Sequence, residues 1–459
     1  MKKKKFILPI LSTLLIAPAI LAHQVSADAV DPAASTAPVE QVEVPKENQS
    51  VAPTTAQGAS AVSPATEAST EKVTEKSENK QVENSVTPAD SETPAAQTVA
   101  APTTQSEKDT VILHTNDVHG RIVEEKGVIG DAKLAAVIEQ ERAKTNQTTL
   151  VVDAGDAFQG LPISNSSKGE ERANILNKIG YDAMAVGNHE FDFGLDEVKK
   201  YKEILKFPLL SANTYVNGAR LFQASTIVDK DKNVVGDEFV VIGVTTPETA
   251  TKTHPRNVQG VTFTDPISEV NKVIEEVESR AKAEGKTYKH YVVLAHLGVD
   301  TTTPVEWRGS TLAEALSKNP LLKGKRVTVI DGHSHTVESV TYGDNVTYNQ
   351  TGSYLHNIGK VTFKANQLLG NPQQIPAETA KKVTPDPVIA DMVSKIKARY
   401  DADNAKVIVA NSPVELNGDR ENVRVRETNL GNVVADALYD YGQTGFANKT
   451  DLAVTNGGG

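Results

Sequence analysis

The sequence predicts an α/β fold whose strands end at a shared polar site. From residue 110 onward, short apolar β-rich runs alternate with amphipathic helical periods, the pattern of βαβ units. The apolar runs break at their carboxyl ends into clusters of Asp, Asn and His. Open α/β sheets bind ligands at that edge, so separate strand ends can converge on one site. The chain also has no cysteine. It makes neither disulfides nor thiolate metal sites, and any metal must be held by His, Asp, Asn or Glu.

A length of 459 residues suggests about three domains at ~150 residues each, but the first quarter does not read as foldable. Lys2–Lys5 is a basic region, Phe6–Leu21 an apolar one, and Val25-Ser26-Ala27 a small-residue cleavage site. Residues 1–27 are therefore expected to be a secretory signal peptide that leaves no transmembrane helix in the mature chain. Residues 28–108 are rich in Ala, Pro, Thr, Ser and Glu without a helical or strand period. That composition predicts a disordered spacer, with possible attachment to a cell wall. The lysine-led start and the lack of cysteine point to a secreted or wall-bound protein of a Gram-positive bacterium. A formal net charge of -11 argues against a nucleic-acid polymer as partner.

Thr110–Thr115 reads as the first strand. A helix follows over Asp131–Lys144, with Leu134, Val137 and Ile138 on one face. Thr149–Val152 is the next strand. Glu170–Ile179 is a helix closed by Gly180. Ala183–Val186 is a strand, Leu195–Leu205 a helix and Phe207–Ser211 a short strand. Residues 221–245 are strand-rich, and Asp265–Glu284 is a long amphipathic helix. Tyr291–Ala295 and Val327–Ile330 read as buried strands, with further short strands from Val337 to Phe363. Pro, Gln and Lys crowd residues 370–387, which predicts a boundary there, then a linker helix over Val388–Tyr400. Beyond it the expectation is a strand at Lys406–Val409, a helix at Thr428–Tyr441 and a strand at Asp451–Thr455.

The strand ends carry the chemistry. Asp117 and His119 follow the first strand, and Asp153 and Asp156 the second. Asn188, His189, Glu190 and Asp192 follow the third. His296, and the pair His333 and His335, follow the two later buried strands. Any one of these histidines alone could be a core or surface residue. Five in equivalent positions, beside Asp117, Asp156 and Asn188, read as a ligand set. Imidazole and hard oxygen donors suit Zn²⁺, Mn²⁺, Mg²⁺ or Fe. Two such ions ~3.5–4 Å apart clamp the attacking and leaving oxygens of an in-line displacement. A carboxylate must bridge them, and Asp156 is the best placed. Gly155 lets its backbone come close, while Asp153 could bridge instead or serve as a hydrogen-bonding support. Gly187 is expected to let the backbone turn sharply after the third strand.

Taken in order, Thr115-Asn116-Asp117-Val118-His119-Gly120, Gly155-Asp156, Gly187-Asn188-His189-Glu190, His296 and Gly332-His333-Ser334-His335 resemble the calcineurin-like metallophosphoesterases. Gly-Asn-His-Glu-Phe-Asp resembles the branch of the 5′-nucleotidases and UDP-sugar hydrolases. The resemblance implies a layered αββα catalytic domain at 109–369, a linker with its helix at 370–402, and the start of an α/β substrate domain at 403–459. It implies that Asp117, His119 and Asp156, completed by His335, bind one metal. Asp156, Asn188, His296 and His333 would bind the other. His189 would contact the phosphoryl group and leaving oxygen, with Asp192 orienting its ring and Glu190 structural. Arg121 could contact phosphate or lie free on the surface.

The implied reaction is attack by a hydroxide, held between two divalent ions (Zn, Mn or Mg), on a nucleoside 5′-phosphate such as AMP, with ADP and ATP as further substrates. UDP-sugars and 2′,3′-cyclic nucleotides are the alternatives, and an inactive binding fragment is the non-enzymatic one. Thr455-Asn456-Gly457-Gly458-Gly459 resembles the strand and glycine turn of the substrate domain, which places Asn456, Gly457 and Gly458 against the nucleotide. The Ile-Arg pair that follows this turn in the family is absent, as is a carboxy-terminal sorting signal, so the expectation is an incomplete substrate domain with impaired activity.

Overall fold

The computed structural model describes residues 108–232, 234, 237–455 and 457. The signal peptide and nearly all of the spacer lie outside the described residues, as do Asn456 and Gly458.

The strands, in chain order, are β1 (Asp109–Thr115), β2 (Gln147–Asp153), β3 (Ala183–Ala185), β4 (Leu209–Leu210), β5 (Thr214–Val216), β6 (Ala219–Arg220), β7 (Ser225–Val228), β8 (Phe239–Thr245), β9 (Val261–Phe263), β10 (His290–His296), β11 (Arg326–Ile330), β12 (Val337–Tyr342), β13 (Val346–Thr351), β14 (Asn357–Phe363) and β15 (Asn371–Pro376). Among the described residues they form two six-stranded sheets, ordered β15-β14-β1-β2-β3-β4 and β12-β13-β11-β10-β8-β7, and a small sheet β6-β5-β9. β1 to β4 run parallel, as do β8, β10, β11 and β13, with antiparallel strands at the edges.

Side-chain alternation explains the layering. Successive residues of a strand face opposite sides. In β1, Ile112 points into a core between the sheets, while Val111 and Leu113 point outward into a second core. In β10, Val292 and Leu294 face inward, and Tyr291, Val293 and Ala295 face outward into a third core. Helices Asp131–Arg142 and Glu170–Ile179 cover the first sheet, and Pro266–Ala283 and Gly309–Ser317 the second. This is the expected αββα layering. Strands buried on both faces read as near-continuous apolar runs, which is why these were visible in the sequence.

Four expectations change. The stretch after Gly370 holds β15, paired in register with β14 at the edge of the first sheet, so the sheet runs past the expected boundary. An edge strand tolerates Pro372 and Pro376 because its outer N–H positions need no partner. The helix Pro387–Asp403, expected as a linker, buries Ile389 and Ile396 in the same core as β1 and β2. Farther on, Lys406–Val409 and Asp451–Thr455 are not strands, and Val407, Ile408 and Val409 are exposed. A strand exists only within a ladder, and among the described residues neither segment has a pairing partner. The helix expected at Thr428–Tyr441 is present as Asn429–Gly445. No helix among the described residues is long and apolar enough to cross a membrane.

Candidate metal centre

The parallel strands of both sheets deliver their carboxyl ends to one place. Asp117 and His119 follow β1, Asp156 follows β2, and Asn188 and His189 follow β3. From the second sheet come His296, the last residue of β10, and His333 and His335 after β11. Potential ligand atoms of Asp117, His119 and His335 lie within 4.8 Å of one another, as do those of Asp156, His296 and His333.

Asp156 faces both groups. Its Oδ2 is 3.0 Å from His296 Nε2 and 3.9 Å from His119 Nε2. Its Oδ1 accepts the backbone N–H of His189 at 2.8 Å, which fixes the carboxylate in place. Asn188 Oδ1 lies 2.8 Å from His333 Nδ1 and 3.2 Å from His296 Nε2, on the side of the second group. His119 Nε2 and His335 Nε2 face each other at 3.1 Å in the first.

The rings are fixed from behind. His296 Nδ1 donates to the Ala154 carbonyl at 2.8 Å, and His119 Nδ1 to the Gln159 carbonyl at 3.0 Å. A carbonyl only accepts, so each ring carries a proton on Nδ1 there and turns its Nε2 edge toward the cluster. His333 Nε2 lies 3.2 Å from Glu248 Oε2, which leaves Nδ1 facing Asn188.

The donor set fits divalent cations. Asp117 and Asp156 are buried, and among the described residues the ion pairs they make are to histidines only. Burial pushes both carboxyls up, but nearby histidines outweigh it and hold both below the ordinary range. Burial pushes His296 down, yet Asp156 and Asp117 raise it to about 10. The carboxylates thus demand positive charge where the ring nitrogens converge, and a cation there meets that demand. Burial outweighs the nearby Asp156 and Asp117 charges and holds His119 below the ordinary imidazole value.

The backbone is strained at the same residues. Asp117, His119, Asp156, His333 and His335 have φ of 50°, 49°, 57°, 74° and 55°. They are half of the ten non-glycine residues with positive φ among those described, so strain concentrates at the cluster. Each such conformation costs about 1–3 kcal/mol and persists where the surroundings impose it, typically at functional sites.

The neighbouring polar residues have separate tasks. His189 Nδ1 is 2.6 Å from Asp192 Oδ2. Burial pushes His189 down, and Asp156 and Asp192 outweigh that and raise it to about 9. Glu190 is buried and accepts the backbone N–H groups of Asp156, Ala157 and Gly187 at 2.7–2.8 Å, so it ties the β2 and β3 loops together. Asp153 accepts from Thr115 Oγ1 and from the Gly155 N–H, at 2.5 and 2.8 Å, and supports the turn that carries Asp156. Asp331 receives Leu297, Gly298 and Gly332 N–H and the Tyr348 hydroxyl, bracing the β10 and β11 ends together. Gly187 has no positive φ, contrary to the expected sharp turn; a Cβ there would stand 2.2 Å from Asp156 Oδ1. The glycine is required for close approach.

The Arg121 guanidinium lies 4.7 Å from the Tyr354 ring, whose own ring packs on His119 and His335. Gly457 packs far along the chain on Val423 and Arg424. Residues not singled out in the sequence also serve the site. Glu248, Thr253 and Asn257 all come from the segment after β8. Thr253 Oγ1 donates to Asp192 Oδ1 at 2.6 Å and Asn257 to the Asp192 carbonyl at 2.8 Å. The signal was available, since Thr245-Thr246-Pro247-Glu248 is another break from apolar run to polar cluster.

Known proteins resemble this chain in sequence and fold. The calcineurin-like phosphoesterase family matches residues 110–337. A 5′-nucleotidase of Vibrio cholerae is 31% identical over 407 residues, covering 78% of this chain and 70% of that protein. A 5′-nucleotidase of Vibrio vulnificus is 30% identical and covers 76% and 67%. Among solved structures, a 5′-nucleotidase precursor from Thermus thermophilus superposes with a TM-score of 0.55 at 26% identity, covering 73% of this chain and 68% of that one. With its layered fold, its candidate ligand clusters at the strand ends and these relatives, the chain belongs to the calcineurin-like phosphoesterases, in the 5′-nucleotidase family, and is a hydrolase of phosphate esters.

Proposed function

We propose that the chain is an exported enzyme that cleaves nucleoside 5′-phosphates, AMP foremost, to nucleoside and inorganic phosphate. One observation carries this reading: Asp156 faces two groups of ligand side chains at once, with His189 held against Asp192 beside them. Asp117, His119 and His335 would hold one divalent cation, Asn188, His296 and His333 the other, and Asp156 both. When bound, the pair supplies Lewis acidity to the phosphoryl oxygens and to the attacking water. The imidazole-rich donor set suits Zn²⁺ or Mn²⁺ better than Mg²⁺.

The chain's own groups then handle protons and orientation. His189 keeps its Nδ1 proton on Asp192, which orients the ring and presents Nε2 as the donor to the leaving ester oxygen. Asp192 is held in turn by Thr253 and Asn257, so the dyad sits on a fixed frame. Arg121, stacked on Tyr354 at the rim, offers its guanidinium to a phosphate oxygen. The nucleoside preference is supported by the relatives named 5′-nucleotidase. Contacts from Asn456, Gly457 and Gly458 belong to the same proposal. Export is supported by the basic, apolar and small-residue sequence of the first 27 residues.

Product analysis on AMP (adenosine and phosphate), UDP-glucose (UMP and glucose 1-phosphate), 2′,3′-cyclic AMP (the ring-opened monophosphate) and p-nitrophenyl phosphate (p-nitrophenol), with metal analysis of the same preparation, tests this reading. The expected result is two ions per chain and AMP as the preferred nucleotide. Hydrolysis of the UDP-sugar or the cyclic nucleotide in preference to AMP would overturn the substrate assignment.

A further inference from the structure

Glu248 lies in the turn that follows β8, on a sheet neighbour of β10, and nothing in the sequence pairs it with the histidine clusters. Its Oε2 is 3.2 Å from His333 Nε2. The carboxylate is fixed by Thr303, whose hydroxyl donates to the same oxygen at 2.6 Å, and by Lys252 at 3.0 Å. The His333 and Glu248 side chains are only 5% and 12% exposed, so this contact is largely shielded from water.

We propose that Glu248 is a positioning residue for the second cation: it holds His333 in the tautomer and orientation that turn Nδ1 to the metal. This rests on the ligand set proposed above. Proton placement decides the role. His333 Nδ1 points at Asn188 Oδ1, 2.8 Å away, into the Asp156–Asn188–His296 group. For Nδ1 to ligate, its lone pair must be free, and the ring proton must sit on Nε2. A carboxylate accepts that proton and favours this tautomer. Carboxylate partners of this kind fix ring orientation and raise ligand basicity.

Lys252 is the competitor. Its Nζ lies 3.1 Å from the same Nε2. An ammonium only donates, so a ring bonded to Lys252 would keep Nε2 bare and place its proton on Nδ1, where it would block the metal. The two partners therefore make opposite predictions. Lys252 Nζ is also 3.0 Å from Glu248 Oε2, so the ion pair draws the ammonium to the carboxylate and leaves the carboxylate able to accept from the ring, and the Glu248 and Lys252 variants decide between the two partners.

The test is Mn²⁺ binding to the full chain, followed by calorimetry and by the electron paramagnetic resonance of free Mn²⁺. Wild type should bind two ions. Glu248→Met should weaken one of them about 10–100-fold and leave the other at wild-type affinity, the usual range for loss of such a partner. Glu248→Gln, whose amide oxygen still accepts, should fall between. Lys252→Met should bind both ions at least as tightly as wild type. Wild-type affinity at both sites in Glu248→Met would overturn the proposal, as would a Lys252→Met that loses as much as Glu248→Met. Should Glu248→Met fail to fold, Thr303→Val carries the test, with a smaller loss at the same single site expected and unchanged affinity overturning the idea. His333→Ala separates the two levels of inference. If it loses one ion while Glu248→Met loses none, Glu248 alone is misassigned. If it keeps both, the ligand set itself fails.

Discussion

His189 Nδ1 and Asp192 Oδ2 are 2.6 Å apart across a single turn of 3₁₀ helix, and Asp192 is gripped from its far side by Thr253. Residues three apart on such a turn eclipse one another, so the spacing His-x-x-Asp alone brings the two side chains together. The dyad is local in sequence, but its anchor comes from a segment about sixty residues away.

His189→Asn should leave both metals bound and slow phosphoester hydrolysis. A positioned general acid contributes about 10²–10⁴-fold, and the loss of kcat should fall in that range. The check is kcat alongside metal content. A variant that loses an ion would show His189 to be a ligand.

Asp156→Ala should abolish binding at both positions, because its Oδ2 is the oxygen that faces both ring sets. Elemental analysis after dialysis is the measurement, and two retained ions would remove Asp156 as the bridge. The same bridging implies that chelation lowers Tm in the wild type more than in the variant, since a ligand stabilises only the state that binds it.

Gly187→Ala should be far more harmful than a glycine-to-alanine change usually is. The added methyl would meet Asp156 Oδ1 at 2.2 Å and the Asp156 backbone nitrogen at 2.6 Å. Those atoms are pinned by His189 and Glu190, so they cannot retreat. Overpacking of this kind costs about 1–3 kcal/mol, and the displaced carboxylate should cost metal affinity as well. Denaturant unfolding and metal titration of the variant decide it. Unchanged values in both would show that the β2 and β3 loops can part.

Much of the fold was legible in the sequence because the parallel strands are buried on both faces and appear as unbroken apolar runs. The strand-end polar breaks were legible for the same reason, and the structure gathers Asp117, His119, Asp156, Asn188, His296, His333 and His335 in one place. What was not legible depended on pairing across distance. β15 carries two prolines and three amides, so only its ladder with β14 identifies it as a strand. Val407–Val409 had the composition of a strand without a partner. Glu248 and Thr253 act on His333 and Asp192, which they meet only after the β8 turn folds over the site.

The helix Pro387–Asp403 should behave as part of the first core. Ile389 is 2% exposed and packs with the residues of the first sheet's outer face, while Met392, Val393 and Tyr400 line the same contact. Arg399 pairs with Glu171 on the helix Glu170–Ile179. Ile389→Ala should therefore lower the unfolding free energy by about 2–5 kcal/mol, the range for truncating a buried aliphatic side chain. A free linker helix would show almost no change.

Glu141, at the end of the helix Asp131–Arg142, makes part of the stability sensitive to acid. It accepts from Lys144 and Lys360, both at 2.8 Å, and from Gln147 at 3.0 Å. Burial pushes its carboxyl up, but these hydrogen bonds outweigh it and hold the group at about 2. A carboxyl depressed in the folded state contributes stability that is fully present above its unfolded value, near 4.3. That contribution is lost as pH falls through the folded value. Lys360 sits on β14, so the interaction fastens a helix to the first sheet. Glu141→Gln should destabilise the protein at neutral pH, and the gap from wild type should shrink between about pH 4 and 2. Other carboxylates titrate over the same range in both proteins, so the difference between the two curves isolates Glu141. A gap that stays constant down to pH 2 would mean that the carboxylate charge does not contribute.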